Sequence, residues 1–248
     1  MPNPKILCIA ALDSSGGAGL NQDIRVLTLL AEELLCVCTG ITIQDYSGVL
    51  AIYPTADNVL EAQLQNILAN HEIQYIKLGA ICSVGQIRIL NRCFASHRGI
   101  RVIIDPVLKP SKGLSFIPQH AIPQYLKLLT VGDFLCPNYL ELQALTGIAI
   151  SGFAEAVDAA QRLVRLYDLG VLVKGGHGDT KDIHEAFVAS AGVHSFSHER
   201  YKWDYSHGTG CALSSAFTSF LLQGYDPPLA FEKASIWVAA LYNKLNRQ

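Results

Sequence analysis

The sequence predicts an α/β protein: a mainly parallel central sheet, helices on both faces, and a small antiparallel hairpin at one edge. Two observations carry most of this. Short β-branched runs alternate with longer helix-like segments along nearly the whole chain, and residues 174–210 break that rhythm with strand-like alternation and no intervening helix. The 248 residues, half of them hydrophobic, supply ample material for a sizeable core.

The elements read in order. "KILCIAAL" is a buried strand, followed by the helix-like "GLNQDIRVLTLLAEEL". "LCVCTGITIQ" is a second strand and "ADNVLEAQLQNILANH" a second amphipathic helix. "YIKLGAI" and "VGQIRILNRCFASHR" repeat the pairing. "RVIIDPVL" is a strand ending in Asp-Pro, and "DFLCPN" a short strand before the helices "YLELQALTG" and "AEAVDAAQRLVRLYDLG". "VLVKGG" is a last buried strand, and "EAFVASAGVHSFSHERYKW" alternates as a hairpin should. The chain closes with "GCALSSAFTSFLLQG" and "PPLAFEKASIWVAALYNKLN", both helical. No repeat or Pro/Ser-rich linker divides the chain, so residues 1–248 read as one domain.

Composition excludes several classes. A net charge of −2 without a Lys/Arg-rich run argues against a nucleic-acid partner. The apolar run near the N-terminus reads as a strand, too short for a membrane span, so no membrane partner is expected. Seven cysteines, an odd number with no CxxC pair, suggest reduced thiols in a cytoplasmic protein; Cys36 and Cys38 fall on the same face of one strand.

In such sheets ligands sit beyond the carboxyl ends of the strands, and the chain's glycine clusters fall there. "DSSGGAGLNQD" (13–23) leads from strand to helix, either as a plain tight turn or as a place where backbone approaches a ligand. Asp105 ends a buried strand, where it caps a loop or faces a metal's water shell. Asn138 and Glu141, three apart at a helix start, form a capping box or jointly hold hydrated Mg²⁺. Lys174, followed by Gly175 and Gly176, suits a phosphate, with a solvated lysine as the alternative. "HGTGC" puts Gly208, Thr209, Gly210 and Cys211 at a helix N-terminus, a nest for an anion whose field would also lower the pKa of the thiol.

Taken in order, "DSSGGAGLNQD", "TIQD", "KLGA", "DPV", "PNYLELQALTG", "VLVKGGH" and "HGTGCALSSA" resemble the ribokinase-like superfamily, and within it the hydroxymethylpyrimidine/phosphomethylpyrimidine kinases of thiamine biosynthesis. The resemblance implies an ATP- and Mg²⁺-dependent kinase acting on a small molecule, a pyrimidine alcohol and then its monophosphate. It makes Gly208, Thr209 and Gly210 the anion hole, Cys211 the base, and Lys174 the lysine on the transferring phosphate. It assigns Asp105, Asn138 and Glu141 to Mg²⁺, and Ala18, Gly19, Asp23, Gln44 and Val107 to the acceptor. It also implies a homodimer.

The chain departs from the family pattern at three places. Ile43-Gln44-Asp45 stands where the family reads AQN, Ala80 replaces a methionine and should enlarge one pocket wall, and Tyr205-Ser206 replaces an Asn-Thr pair. These keep a pyridoxal or pyridoxine kinase in play. A binding protein that has lost catalysis would lack one of Asn138, Glu141, Lys174 or Cys211, and all are present. A redox protein would want a second thiol near Cys211, and none is close in sequence. Pro110–Phe116, with lysine and glycine, is a candidate lid.

Overall fold

The computed structural model describes residues 5–45, 47–110, 112–175, 182–201, 203 and 206–246. Its strands are β1 Ile6–Asp13, β2 Leu34–Asp45, β3 Gly48–Pro54, β4 Tyr75–Leu78, β5 Arg101–Ile104, β6 Phe134–Leu135, β7 Gly170–Val173, β8 Asp182–Ala189 and β9 Gly192–Glu199. Its helices are α1 Gly19–Leu29, α2 Asp57–Asn70, α3 Val84–Ser96, α4 Ile122–Tyr125, α5 Tyr139–Thr146, α6 Phe153–Tyr167, α7 Thr209–Leu222 and α8 Pro227–Leu245, with 3₁₀ turns flanking α4. No described helix is long and apolar enough to cross a membrane.

The strands form one sheet in the order β3-β2-β1-β4-β5-β6-β7-β8-β9. The six from β2 to β7 run parallel, and β3, β8 and β9 pair antiparallel. Parallel strands covered on both faces read as unbroken apolar runs, which is why the sequence exposes them. β1 shows the division: Leu7, Ile9 and Ala11 join the larger core with α2, α3, α5 and α6. Ile6, Cys8 and Ala10 face α1, while α7 and α8 extend that second layer.

The expected hairpin is present as β8–β9, with Ala189 opposite Gly192. The opposite edge differs from expectation. β3 closes it as a second antiparallel strand, which the sequence reading does not assign. Only Val49 of β3 is buried while Leu50 and Tyr53 are exposed, so neither a continuous apolar run nor a clean alternation marks it. Residues 112–114 dock on this strand: Val49 N donates to Lys112 O and Leu114 N to Val49 O, both at 3.1 Å.

The order β2-β1-β4 reverses the direction in which the sheet grows, so a crevice opens at the carboxyl ends of β1 and β4. Asp13 ends β1, Lys77 stands one residue from the end of β4, and Asp105, Asn138 and Lys174 follow the ends of β5, β6 and β7.

Candidate active site

α7 organises the crevice. The helix is buried from Cys211 through Ser219, and its small residues Ala212, Ser214, Ser215 and Ala216 permit close packing. Its N-cap, Gly208, has φ +82°, and a Cβ there would overlap the carbonyl of Gly17. The two glycine turns therefore touch backbone to backbone. The amides of Gly210 and Cys211, at the second and third positions of α7, lie beyond the reach of the helix's own carbonyls and are available to an anion. Lys174 Nζ is near enough that a Cβ on Gly210 would lie 3.5 Å from it. The expected nest and lysine come together.

A buried charge network runs beneath this nest. Asp105 accepts from Ser214 Oγ at 3.0 Å and pairs with Lys174 at 3.4 Å and Lys77 at 3.9 Å. Asp23 pairs with Lys77 at 2.7 Å and accepts from Ser215 Oγ at 2.8 Å; both charged side chains are without solvent exposure. Burial raises the Asp23 pKa despite Lys77. It also acts to raise Asp105, where Lys174 and Lys77 outweigh it and hold the carboxyl below its ordinary value. For the two lysines burial favours the neutral form, and the carboxylates overcome it: both pKa values rise.

Lys77, Ser214 and Ser215 are absent from the sequence-level site. The one available signal was a lysine inside the apolar strand "YIKLGAI" and a polar pair inside "CALSSAF".

One site expectation needs correction. Cys211 is not acidified. Burial pushes its thiol up to about 12, against the lowering pull of Lys77 and of the Gly19 amide at its sulfur. The field at a helix N-terminus is visible in sequence, whereas the burial that overrides it comes from tertiary packing. Asn138 and Glu141 form the capping box, one of the two readings open to the pair: Asn138 Oδ1 accepts from Glu141 N at 2.9 Å and Glu141 Oε2 from Asn138 N at 2.8 Å. Burial raises the Glu141 pKa to about 7, with Lys174 pulling it down and Asp105 pushing it up.

The described residues contain no group of three or more His, Cys, Asp or Glu side chains set to hold a metal alone. Mg²⁺ prefers one or two carboxylates completed by water and phosphate oxygens. Asp105 and Glu141, two buried carboxylates that sense each other's charge beside Lys174, fit that mode.

The acceptor-side expectations scatter more. Ala18 is the N-cap of α1 and Gly19 its first residue, with the Gly19 amide at Cys211. Gln44 is brought beside that turn, because Ser14 Oγ exchanges hydrogen bonds with its backbone N and O at 3.1 and 3.0 Å. Val107 is half-buried against the larger core. Ala80 is 5% exposed within that core, its carbonyl accepting from Thr39 Oγ1. Asp45 is exposed and caps its own turn by accepting from Ser47 N and Oγ. Gly176 and Tyr205 lie outside the described residues. All seven cysteines are free.

A family model described as phosphomethylpyrimidine kinase matches residues 13–247. The chain belongs to that family. It is 30% identical over 244 residues to the hydroxymethylpyrimidine/phosphomethylpyrimidine kinase of Staphylococcus aureus strain MRSA252, covering 96% of this chain and 88% of that one. It is 31% identical over 243 residues to the thiamine biosynthesis bifunctional protein of Geobacter sulfurreducens, covering 96% of this chain but 49% of the relative. The chain thus spans about half the length of that bifunctional relative. The crystal structure of phosphomethylpyrimidine kinase from Clostridium difficile superposes with a TM-score of 0.84 at 25% identity, over 97% of this chain and 99% of that one. Staphylococcus aureus pyridoxal kinase in complex with pyridoxal shares the fold, with a TM-score of 0.86 at 23% identity and coverage of 98% and 89%. The expected ribokinase-like α/β architecture and phosphotransferase family are both borne out.

Proposed function

We propose that residues 1–248 form one kinase domain, which transfers the γ-phosphoryl group of ATP to 4-amino-5-hydroxymethyl-2-methylpyrimidine and then to its monophosphate. The observation that carries this is the convergence of Lys174, Asp105 and Cys211 on the open N-terminus of α7. Family membership supports the choice of acceptor.

The chemistry follows from the geometry. Phosphoryl transfer asks mainly for positioning and charge stabilisation. The Gly210 and Cys211 amides and Lys174 supply donors and charge where the transferring group gathers negative charge. Asp105, Asn138 and Glu141 would hold Mg²⁺ largely through water; when bound, the ion neutralises phosphate charge. Asp23 keeps one buried oxygen, Oδ2, without a protein partner, an acceptor suited to an amino group on the heterocycle. The same reading assigns Ala18, Gly19, Gln44, Val107 and Ala80 to the acceptor.

Cys211 takes a modified role. Burial raises its pKa well above that of a free thiol, so it enters the reaction as a thiol. A loose transition state lets the acceptor proton leave late, to an oxygen of the transferred phosphoryl group, so no thiolate is required. The sulfur therefore acts first as the partner that orients the hydroxymethyl group. A phosphate acceptor needs no such partner.

A homodimer and a cytoplasmic location belong to this reading too. ADP release on mixing the purified protein with ATP, Mg²⁺ and the pyrimidine alcohol tests it; no release above the rate without acceptor would refute it.

A further inference from the structure

Two residues of the glycine-rich motifs have no part in the reaction so far. Asp13 and His207 are 194 positions apart, yet His207 Nε2 lies 3.0 Å from Asp13 Oδ2. The Asp13 carboxylate is otherwise committed to its own turn. Oδ1 accepts from Ser15 N at 2.8 Å and Ser15 Oγ at 2.7 Å, and Oδ2 from Ala18 N at 2.8 Å. One buried carboxylate therefore shapes the β1–α1 turn and anchors the residue that opens the HGTGC turn.

We propose that Asp13 and His207 are positioning residues for phosphoryl transfer: they staple the acceptor-side turn to the anion-binding turn and thereby fix the spacing of the N-termini of α1 and α7. Three observations support this. The two turns are in backbone contact at Gly17 and Gly208, so any change in their spacing is transmitted directly. α1 begins at Gly19 and α7 at Thr209, so the two turns carry the N-termini of both helices. His207 is also fixed at its carbonyl, which accepts from the buried Tyr242 hydroxyl at 2.7 Å, and Gln22 Nε2 donates to that same hydroxyl oxygen at 3.2 Å. The ring and the carbonyl of His207 are thus held by different elements, and the staple sets the distance between two helix N-termini. Misplacement by about 1 Å is enough to cost on the order of 100-fold in rate.

This inference rests on the proposed kinase function. The His207 side chain is 34% exposed, so substitution there should leave the protein folded. His207→Leu removes the ring N–H, whereas His207→Gln can still donate to Asp13. The expected result is a kcat lowered about 30-fold in His207→Leu, with KM for ATP and acceptor within about threefold, and recovery to within about threefold of the parent kcat in His207→Gln. Asp13→Asn should lower kcat similarly, and the double variant Asp13→Asn/His207→Leu should be no worse than the poorer single one. Full kcat in His207→Leu, an equal loss in His207→Gln, or losses that multiply in the double variant would overturn the proposal.

A second readout needs no turnover. Nitrogen–proton NMR of the full chain should show the His207 ring carrying hydrogen on Nε2, protected from exchange, with that protection lost in Asp13→Asn. A parent protein without kinase activity but with this signature would refute the functional reading and leave the staple standing. An unprotected ring in the parent would refute the staple.

Discussion

Replacing Gly208 by alanine perturbs the point where the two glycine turns meet. The residue sits at φ +82°, where an L side chain costs roughly 1–2 kcal/mol. The new Cβ would also lie 3.0 Å from the Gly17 carbonyl carbon and 3.3 Å from the Tyr242 oxygen, with the Gly17 carbonyl oxygen closer still. Ordinary contact begins near 3.4 Å, so the HGTGC turn must withdraw from the β1–α1 turn by roughly 1.5 Å, more than the ~1 Å that already matters for catalysis. That displacement moves the Gly210 and Cys211 amides off the phosphoryl group. The expected loss is about 100-fold in kcat. The melting temperature should fall by only roughly 2–8 °C, since each kcal/mol is worth about 2–4 °C in a chain of this size. ADP release by a coupled assay, beside a thermal melt, reads both quantities. Gly147→Ala is the control. Gly147 ends α5 at φ +70° with nothing within 4 Å of a Cβ, so it should lose stability alone. A Gly208→Ala enzyme that keeps more than a tenth of the parent kcat would refute the claim that turn spacing positions the anion site.

Cys211→Ala should lower kcat on the hydroxymethyl acceptor by about 100-fold and on the monophosphate by less than about threefold, because only the alcohol is oriented by the sulfur. Equal losses in the two half-reactions, measured separately, would contradict that division. Lys174→Met should cost about 10²–10³-fold on both acceptors, since it removes charge from the transferring group itself. Steady-state rates with each acceptor check this, and a loss confined to one acceptor would contradict it. Asp13 gives a pH prediction. Burial acts to raise its pKa, but His207 and the Ser15 and Ala18 hydrogen bonds hold it at about 2 against an ordinary 3.8. A depressed carboxylate contributes stability above its unfolded pKa and loses it as pH falls through the folded value. Up to about 2 kcal/mol should therefore disappear between pH 4 and 2, and urea unfolding should show a shallower acid slope in Asp13→Asn.

The parallel strands and their covering helices were legible because burial on both faces leaves apolar runs bounded by Gly, Pro and Asp. β3 escaped notice because an edge strand with one buried residue carries neither signature. Asp105, Asn138 and Lys174 could be found because polar residues and glycines at strand ends stand out from the core. Lys77, Ser214 and Ser215 could not, since each becomes meaningful only when Asp23 and Asp105 approach from other elements. The Cys211 thiol shows the same limit from the other side. Its helix N-terminus is local and visible, while the packing that raises its pKa is not.

The most direct test of the central claim is a comparison of kcat/KM for the pyrimidine alcohol and for pyridoxal, on the same purified protein with saturating ATP and Mg²⁺. The expected result is a clear preference for the pyrimidine, of at least about tenfold, or roughly 1.4 kcal/mol in transition-state binding. A preference for pyridoxal would contradict it and reassign the acceptor while leaving the phosphoryl-transfer site unchanged.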